Sequence, residues 1–415
     1  MPYCKAGSPS EPFPLRMKKK PKPKAKYDVC VVGGAGHVGA PLSIVLAQKG
    51  LRTLIYDISR PALDTLAAGR LPFIEEGGEP MLREVLAAGA LGFSANPADI
   101  AGIPHVILTV GTPVDEFHNP VVRALTDCID ALLPHLSDDQ VLILRSTVFP
   151  GVTNFLDGYL EARGRRPLLA FCPERVVQGK AIKESQSLVQ MVSGTTPAAE
   201  ESAAKLFSKI AKKIVRMRPM EAEFAKLFCN AYRYVQFAVA NQFYMLADSA
   251  GLDYARIREG LMEDYPRMRD LPGAGFAAGP CLFKDTLQLV AFSENKFNLA
   301  VSAVQVNEGL PAYLTSRLRE KYPLKKMTVG LLGMAFKADS DDARSSLSYK
   351  LKKHLTLHAK AVLTTDPLVT GDSELRPLAE VVRRSDLLVL CTPHSAYAGL
   401  DLKKKPVFDI WNFLK

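Results

Sequence analysis

From Gly273 to Asp285 the chain reads Gly-Ala-Gly-Phe-Ala-Ala-Gly-Pro-Cys-Leu-Phe-Lys-Asp, so Cys281 follows a glycine-rich approach and precedes a cation, Lys284, and a carboxylate, Asp285. Glycine lets backbone lie close to a ligand because no Cβ intervenes. A lysine three residues on favours the thiolate, the nucleophilic form of a group whose ordinary pKa of about 8.5 leaves it mostly protonated at neutral pH. Taken alone, such a cysteine is more often a small buried apolar residue. A second segment changes its meaning. Gly34-Ala35-Gly36-His37-Val38-Gly39 fits G-x-G-x-x-G, and Asp57 follows 18 residues beyond Gly39. In that pattern the first glycine permits a tight turn, the second admits a pyrophosphate and the third allows close helix–strand packing. Asp57 at the end of the next strand would bind the ribose diol and repel a 2′-phosphate, which favours NAD over NADP. A nucleophilic thiol and a hydride acceptor in one chain imply oxidation through a covalent thioester.

A third group lies on a segment of helical pattern, where Glu223, Lys226 and Asn230 occupy i, i+3 and i+7 and share one face. Polar residues there are either a solvated stripe or part of a site, and pairing with Cys281 and Asp285 favours the site. His354 and His358 stand at i, i+4, but no third ligand is near them in sequence, so no metal is expected.

These groups need elements to hold them. Apolar runs rich in β-branched residues predict strands at 27–32, 52–56, 105–110, 141–144, 168–171 and 188–193, alternating with helices, the first over 38–49. Such alternation implies a mainly parallel, doubly wound sheet. Residues 221–250 contain neither Gly nor Pro and predict one long helix; a second helical stretch over 297–322 should be interrupted at Pro311. The α/β pattern restarts with strands at 327–332, 361–365, 387–391 and 407–411 and a helix over 346–357, with Trp411 as packing in that terminal lobe. The fold expected is therefore α/β, with two Rossmann-like doubly wound parallel-sheet domains joined by a helical middle domain that has a long central helix. The borders expected are 1–26 for a disordered basic tail, 27–215 for the dinucleotide domain, 216–322 for the middle and 323–415 for the terminal domain.

Composition narrows the class. The net charge of +10 is concentrated in residues 1–26, where eight cations face the single Glu11, a surplus of seven that leaves only three for the rest. The tail reads as a solubilising leader, and no nucleic-acid or membrane partner is expected. No apolar run reaches the ~18 residues of a membrane span. Seven scattered cysteines, never in a C-x-x-C pair, fit a reducing compartment, so the expected location is cytoplasmic.

The order of motifs resembles the UDP-glucose/GDP-mannose dehydrogenase family, the nucleotide-sugar 6-dehydrogenases, over roughly residues 27–415. The stretches that carry the resemblance are Gly33–Gly39, Val110–Pro113, Ser146–Gly151, Cys172–Arg175 with Gly179, Glu223–Asn230, Gly275–Asp285, and Gly333–Lys337 with Asp342 and Arg344. The resemblance implies NAD-dependent four-electron oxidation of a sugar C6 alcohol to a carboxylate, through a thiohemiacetal and thioester on Cys281. It places Lys226 at the oxyanion, Asn230 and Thr147 beside the C6 oxygen or a water, and Asp285 and Glu174 as candidate bases. It implies a cofactor site of Gly34, Gly36, His37, Val38, Gly39, Asp57, Thr112, Thr147 and Lys284. For the substrate it implies Glu174, Arg175, Lys226, Asn230, Gly275, Phe336, Lys337 and Arg344, with Arg267 reaching across a dimer interface on the long helices.

Three departures bear on the sugar. Gly279-Pro280-Cys281-Leu282 replaces a Gly-Ser-Cys pattern, Arg344-Ser345-Ser346-Leu347 replaces Arg-Glu-Ser-Pro, and Pro173-Glu174-Arg175 replaces Pro-Glu-Phe. The Glu-Arg form resembles the UDP-N-acetylhexosamine branch. UDP-glucose or GDP-mannose as substrate, a two-electron hydroxyacid dehydrogenase of the 6-phosphogluconate type, and a non-catalytic NAD-binding protein remain as alternatives.

Overall fold

The computed structural model describes residues 25–115, 120–402 and 405–414; nearly all of the basic tail lies outside them. The first sheet comprises β1 (Val29–Val32), β2 (Thr53–Tyr56), β3 (Leu91–Ser94), β4 (His105–Leu108), β5 (Val141–Leu144), β6 (Leu168–Phe171), β7 (Gln190–Gly194) and β8 (Ile214–Arg216), in the order β3-β2-β1-β4-β5-β6-β7-β8. Only the β6–β7 pair is antiparallel. Seven helices accompany it: α1 (Gly39–Gln48), α2 (Arg60–Ala67), α3 (Gly78–Ala87), α4 (Arg123–Leu132), α5 (Val152–Glu161), α6 (Ala181–Ser187) and α7 (Pro197–Phe207). β1 is buried on both faces. Val29 and Val31 join one apolar core, Cys30 and Val32 the other, as expected of a central parallel strand. The chain winds outward through β2 and β3, then returns to β4 on the other side of β1. That reversal opens a crevice at the carboxyl ends of β1 and β4, where doubly wound sheets bind ligands.

The two strands that composition did not reveal, β3 and β8, are the edges of this sheet. β3 is only half-buried and contains Gly92, where a Cβ would lie 2.1 Å from the Tyr27 hydroxyl. β8 is three residues long.

The middle of the chain is α8 (Pro219–Ser249), α9 (Tyr254–Met262), α10 (Leu282–Phe292) and α11 (Asn298–Lys321). α8 starts with Pro219 at its first turn, and Glu221 accepts from the Arg218 amide at 2.9 Å, which caps the free N-terminus. α11 runs through Pro311 without interruption, contrary to the expectation of a break. An interior proline costs about 3 kcal/mol; burial of Leu310, Leu314 and Leu318 around it offsets that cost. The second sheet follows, with β9 (Thr328–Leu332), α12 (Leu347–Thr356), β10 (Ala361–Thr365), α13 (Leu378–Arg384), β11 (Leu387–Leu390) and β12 (Val407–Asp409). Its order is β10-β9-β11-β12, all parallel, with the same reversal beside its first strand. No helix is long and apolar enough to cross a membrane among the described residues.

Candidate active site

Cys281 is solvent-exposed and stands immediately before α10, where the helix N-terminus favours a negative charge. Two glycines of its approach are fixed by rings from the terminal domain. Gly279 has φ +103° and a Cβ there would lie 2.6 Å from the Phe336 ring; Gly275 has φ +151° and its Cβ would lie 2.3 Å from Trp411. Trp411 therefore packs against the middle domain as well as its own lobe, where its indole donates to the Cys391 carbonyl at 3.0 Å. The Asn241 carboxamide holds Gly275 on both sides, accepting from its amide at 2.9 Å and donating to its carbonyl at 3.0 Å.

The expectation that Lys284 favours the thiolate is overturned in balance. Although the Cys281 residue reaches solvent, desolvation by the protein atoms crowded around it, and then the Asp285 charge, push its thiol above the ordinary range, and the opposing pull of Lys226, Lys284 and Arg344 is smaller. The thiol is a neutral reserve until its proton is removed.

Asp285 is buried, and its Oδ2 accepts from Asn230 Nδ2 at 2.6 Å. Its Oδ1 accepts no hydrogen bond among the described residues and lies 3.4 Å from Lys284 Nζ. Lys284 crosses to the first domain, donating to the Thr112 carbonyl at 2.9 Å, while the Thr112 hydroxyl donates to the Thr147 carbonyl at 2.6 Å. Lys226, one turn before Asn230 on α8, makes no hydrogen bond or ion pair among the described residues, yet its charge reaches Cys281. Cys281, Lys226, Asn230, Lys284, Asp285, Thr112 and Thr147 thus converge from two domains. Glu223 does not join them. Its buried carboxylate accepts from the Gly151 and Thr153 amides at 2.6 and 2.8 Å and caps α5.

On the cofactor side, Gly33 has φ +71° and begins the turn. A Cβ at Gly34 would lie 2.6 Å from the Val31 carbonyl, and one at Gly39 2.5 Å from that of Gly33, so these two positions are closed by the protein itself. At Gly36 the nearest atom is 3.6 Å away. Space left open at the one position that no packing restricts is what a dinucleotide pyrophosphate would fill at the start of α1, so the residues present fit NAD. Asp57 lies beside the turn, accepting from Ala35 N at 3.0 Å and Ser59 N at 2.9 Å. His37, next to Val38, packs on Phe73 with ring centroids 4.2 Å apart. Gln178 Nε2 links His37 Nδ1, at 3.3 Å, to Asp342 Oδ2 of the terminal domain, at 3.2 Å. Arg344 binds the same Asp342 carboxylate through Nη2 at 2.6 Å. An interdomain cavity of about 470 Å³ lies between His37, Phe73, Asp342, Arg344 and Tyr349.

Other candidates are placed differently from expectation. Glu174 is engaged by Arg145, whose side chain is 1% exposed, and by the amides of Arg175 and Val176 at 2.6 and 2.8 Å. A carboxylate held on three sides anchors the 174–179 loop and is poorly placed to act as a free base. Arg175 turns to the Val189 carbonyl, and Arg267, on the surface, contacts only Tyr265 among the described residues; neither is brought to Cys281. Lys337 donates to the Gln178 carbonyl, tying the terminal domain to that loop. Arg145 and Gln178 were not singled out in the sequence. A lone arginine ending the apolar run Val141–Leu144 was the available signal for the first.

A pyrophosphate cradle facing a polar cluster around an exposed thiol defines an NAD-dependent oxidoreductase. The chain belongs to the UDP-glucose/GDP-mannose dehydrogenase family: its NAD binding domain matches residues 27–211, its central domain 220–309 and its UDP binding domain 330–415. A UDP-N-acetyl-D-mannosamine dehydrogenase of Pyrococcus horikoshii is 29% identical, over 92% of this chain and 95% of that protein. An NDP-N-acetyl-D-galactosaminuronic acid dehydrogenase of Ralstonia nicotianae is 26% identical over 91% and 94%. The solved structure of a UDP-glucose dehydrogenase from Pyrobaculum islandicum superposes with a TM-score of 0.86 at 26% identity, covering 95% of this chain and 96% of that one. The P. horikoshii UDP-D-ManNAc dehydrogenase structure gives 0.87 at 28%, over 93% and 96%.

Proposed function

We propose that this protein oxidises the C6 alcohol of a UDP-N-acetylhexosamine to the carboxylate, capturing the intermediate aldehyde on Cys281. The observation that supports this most is an exposed thiol at the start of α10, with the unpaired Lys226 and the Asn230–Asp285 pair around it. NAD, when bound, accepts a hydride in each of two oxidations. The chain's own groups handle protons and charge. Oδ1 of Asp285, ion-paired with Lys284 but accepting no hydrogen bond among the described residues, takes the thiol proton as sulfur bonds to the aldehyde carbon, and the Lys226 cation offsets the negative charge that forms on oxygen. Asn230, donating to Asp285, keeps its own carbonyl for the sugar hydroxyl or a water. Loss of hydride from the thiohemiacetal leaves a thioester. Addition of water then breaks the carbon–sulfur bond and releases the acid, so one sugar consumes two NAD and one water.

Gly34, Gly36, His37, Val38, Gly39 and Asp57 receive the cofactor, with Thr112, Thr147 and Lys284 at its reacting end. Phe336, Lys337 and Arg344 receive the nucleotide side of the substrate, with Gly275 in the loop between. The borders 27–215, 216–322 and 323–415 serve as three working domains, in line with the two sheets and the helices between them. The N-acetylated sugar is supported by Glu174-Arg175 and by the named activities of the P. horikoshii and R. nicotianae relatives. UDP-glucose is the second reading, favoured by the likeness to the P. islandicum enzyme. A homodimer is supported by the face of α8 turned away from Asn230, where Phe228, Tyr232, Val239, Phe243 and Leu246 are all exposed. We place the activity in the cytoplasm, supplying acidic sugars for polysaccharide assembly.

The test is stoichiometric. With a panel of UDP- and GDP-sugars, the wild type should form two NADH per acid, and Cys281→Ala should bind NAD and form no acid. Near-normal acid formation by the alanine variant would exclude covalent capture.

A further inference from the structure

Three residues of α10 succeed one another at i, i+4 and i+8 along the face turned to the first domain: Lys284, Gln288 and Phe292. Opposite them lies the turn between β5 and α5, which carries Thr147. The first and third residues each hold it. Lys284 donates to the Thr112 carbonyl, and the Thr112 hydroxyl donates to the Thr147 carbonyl. The Phe292 ring lies 5.6 Å from that of Phe149, centroid to centroid. The middle residue holds nothing. Gln288 is 1% exposed, yet its carboxamide makes no hydrogen bond among the described residues, and Oε1 is shut off from solvent. Buried polar groups are paired in nearly all native structures, because burial forfeits their hydrogen bonds to water. Across from Gln288, the amides of Val148 and Phe149 are likewise without a hydrogen bond among the described residues, and Val148 is buried. All three residues line a cavity of about 10 Å³, whose other walls include Thr147, Leu125 and Val152. One water needs about that much room. Leu125 and Val152 are core residues of the first domain and Cys281 is not in the wall, so the cavity lies behind the turn, away from the reacting atoms.

A water molecule carries both donors and acceptors, so a single one placed here satisfies both sides, donating to Gln288 Oε1 and accepting from an amide of the turn. We propose that this cavity is the binding site of one ordered water, and that through it Gln288 is a positioning residue for Thr147. α10 also carries Asp285 in its first turn and has Cys281 at its N-cap, so the three contacts together fix the distance between Thr147 and the thiol. Lys284 and Phe292 secure the two ends of the contact, and the bridged Gln288 stops the turn from rocking between them. The catalytic consequence rests on the reading of Thr147 given above, as a group beside the C6 oxygen or a water. The bridging water takes no part in the chemistry itself.

The experiment compares the whole wild-type chain with Gln288→Met, which keeps the length of the side chain and removes both polar ends. A crystal structure of the wild type should show one water within hydrogen-bond distance of Gln288 Oε1 and of the turn; a cavity without density would overturn the site. Removing an unpaired polar group relieves its cost, whereas removing one side of a water bridge orphans the other side. The Tm of Gln288→Met should therefore fall, and a Tm equal to or above that of the wild type would also overturn the site. In steady state kcat should fall about tenfold, the scale of a small misplacement of a reacting group, with KM for NAD and for the nucleotide sugar unchanged. An unchanged kcat, or a loss expressed in KM alone, would remove the positioning role. Acid formation by Cys281→Ala would instead break the covalent reading, and the role of Thr147 with it, while leaving the water and the Tm shift in place.

Discussion

The two parallel sheets put the same residue types at equivalent points and use them to different ends. In the first, Gly33 (φ +71°) follows β1, Thr109 follows β4, and Asp57 follows β2; in the second, Gly333 (φ +91°) follows β9, Thr392 stands just past β11, and Asp366 follows β10. Asp57 takes two amides and remains partly exposed. The Asp366 side chain is fully buried and takes four, from Met334 at 2.6 Å, Ala335 at 2.9 Å, Leu368 at 2.8 Å and Val369 at 2.9 Å. His394 adds a fifth bond from Nε2 at 3.1 Å, its tautomer set because Nδ1 accepts from the Asp339 amide at 3.0 Å. Burial opposes the ionisation of Asp366, but the hydrogen bonds from His394 and the amides outweigh it and hold the pKa at about 2. A carboxylate with spare acceptor capacity makes a ligand cradle. A saturated one makes a joint, and on the reading proposed above the nucleotide of the substrate meets Phe336, Lys337 and Arg344 instead.

The contrast can be broken most forcefully at Asp366. Its depressed pKa contributes stability above the ordinary carboxylate range, and that contribution is lost as pH falls from there towards about 2. Asp366→Asn should therefore lower stability by about 2 kcal/mol at neutral pH, and the gap to wild type should close on acidification. Urea unfolding at two pH values measures this, and an unchanged midpoint at pH 7 would remove the distinction. Asp57→Asn should do the reverse, leaving the unfolding midpoint nearly in place while KM for NAD rises about tenfold and discrimination against NADP shrinks. Steady-state kinetics with both cofactors decide it; a higher kcat/KM with NADP in the wild type would show that Asp57 points elsewhere. The smallest effect is expected at Gly36→Ala. The methyl meets the Gly33 carbonyl oxygen only at an ordinary contact distance of 3.6 Å, so stability should change by less than about 0.5 kcal/mol, with KM for NAD up severalfold. A large loss of stability there would mean that the turn, and not the ligand, requires this glycine.

What could be read beforehand follows the strength of each local signal. β5 and β6 were legible to the residue because short continuous apolar runs bounded by turn residues read as buried strands. β3 and β8 were not, since edge strands need neither length nor apolar faces on both sides. The cofactor turn was legible because backbone sterics dictate Gly34 and Gly39, and the motif's spacing brings Gly36 with them. The charge balance at Cys281 was not: Lys284 is near in sequence, but the burial that outweighs it and the approach of Lys226 and Arg344 exist only after folding. Glu223 shows the same limit in reverse, a polar residue on the right face whose partner, the start of α5, was invisible at a separation of 70 residues.

Phe336 and Trp411 fill the space above Gly279 and Gly275, and both rings belong to the terminal domain. The segment bearing Cys281 is thus keyed to that domain at two points six and two residues ahead of the thiol. Lys284, three residues beyond it, is keyed to the first domain through Thr112. The thiol sits on a short span pinned at one end to one lobe and at the other end to its opposite. Its position is a gauge of how far the lobes stand apart, so a swing of either lobe that opens the cleft must also unseat the sulfur.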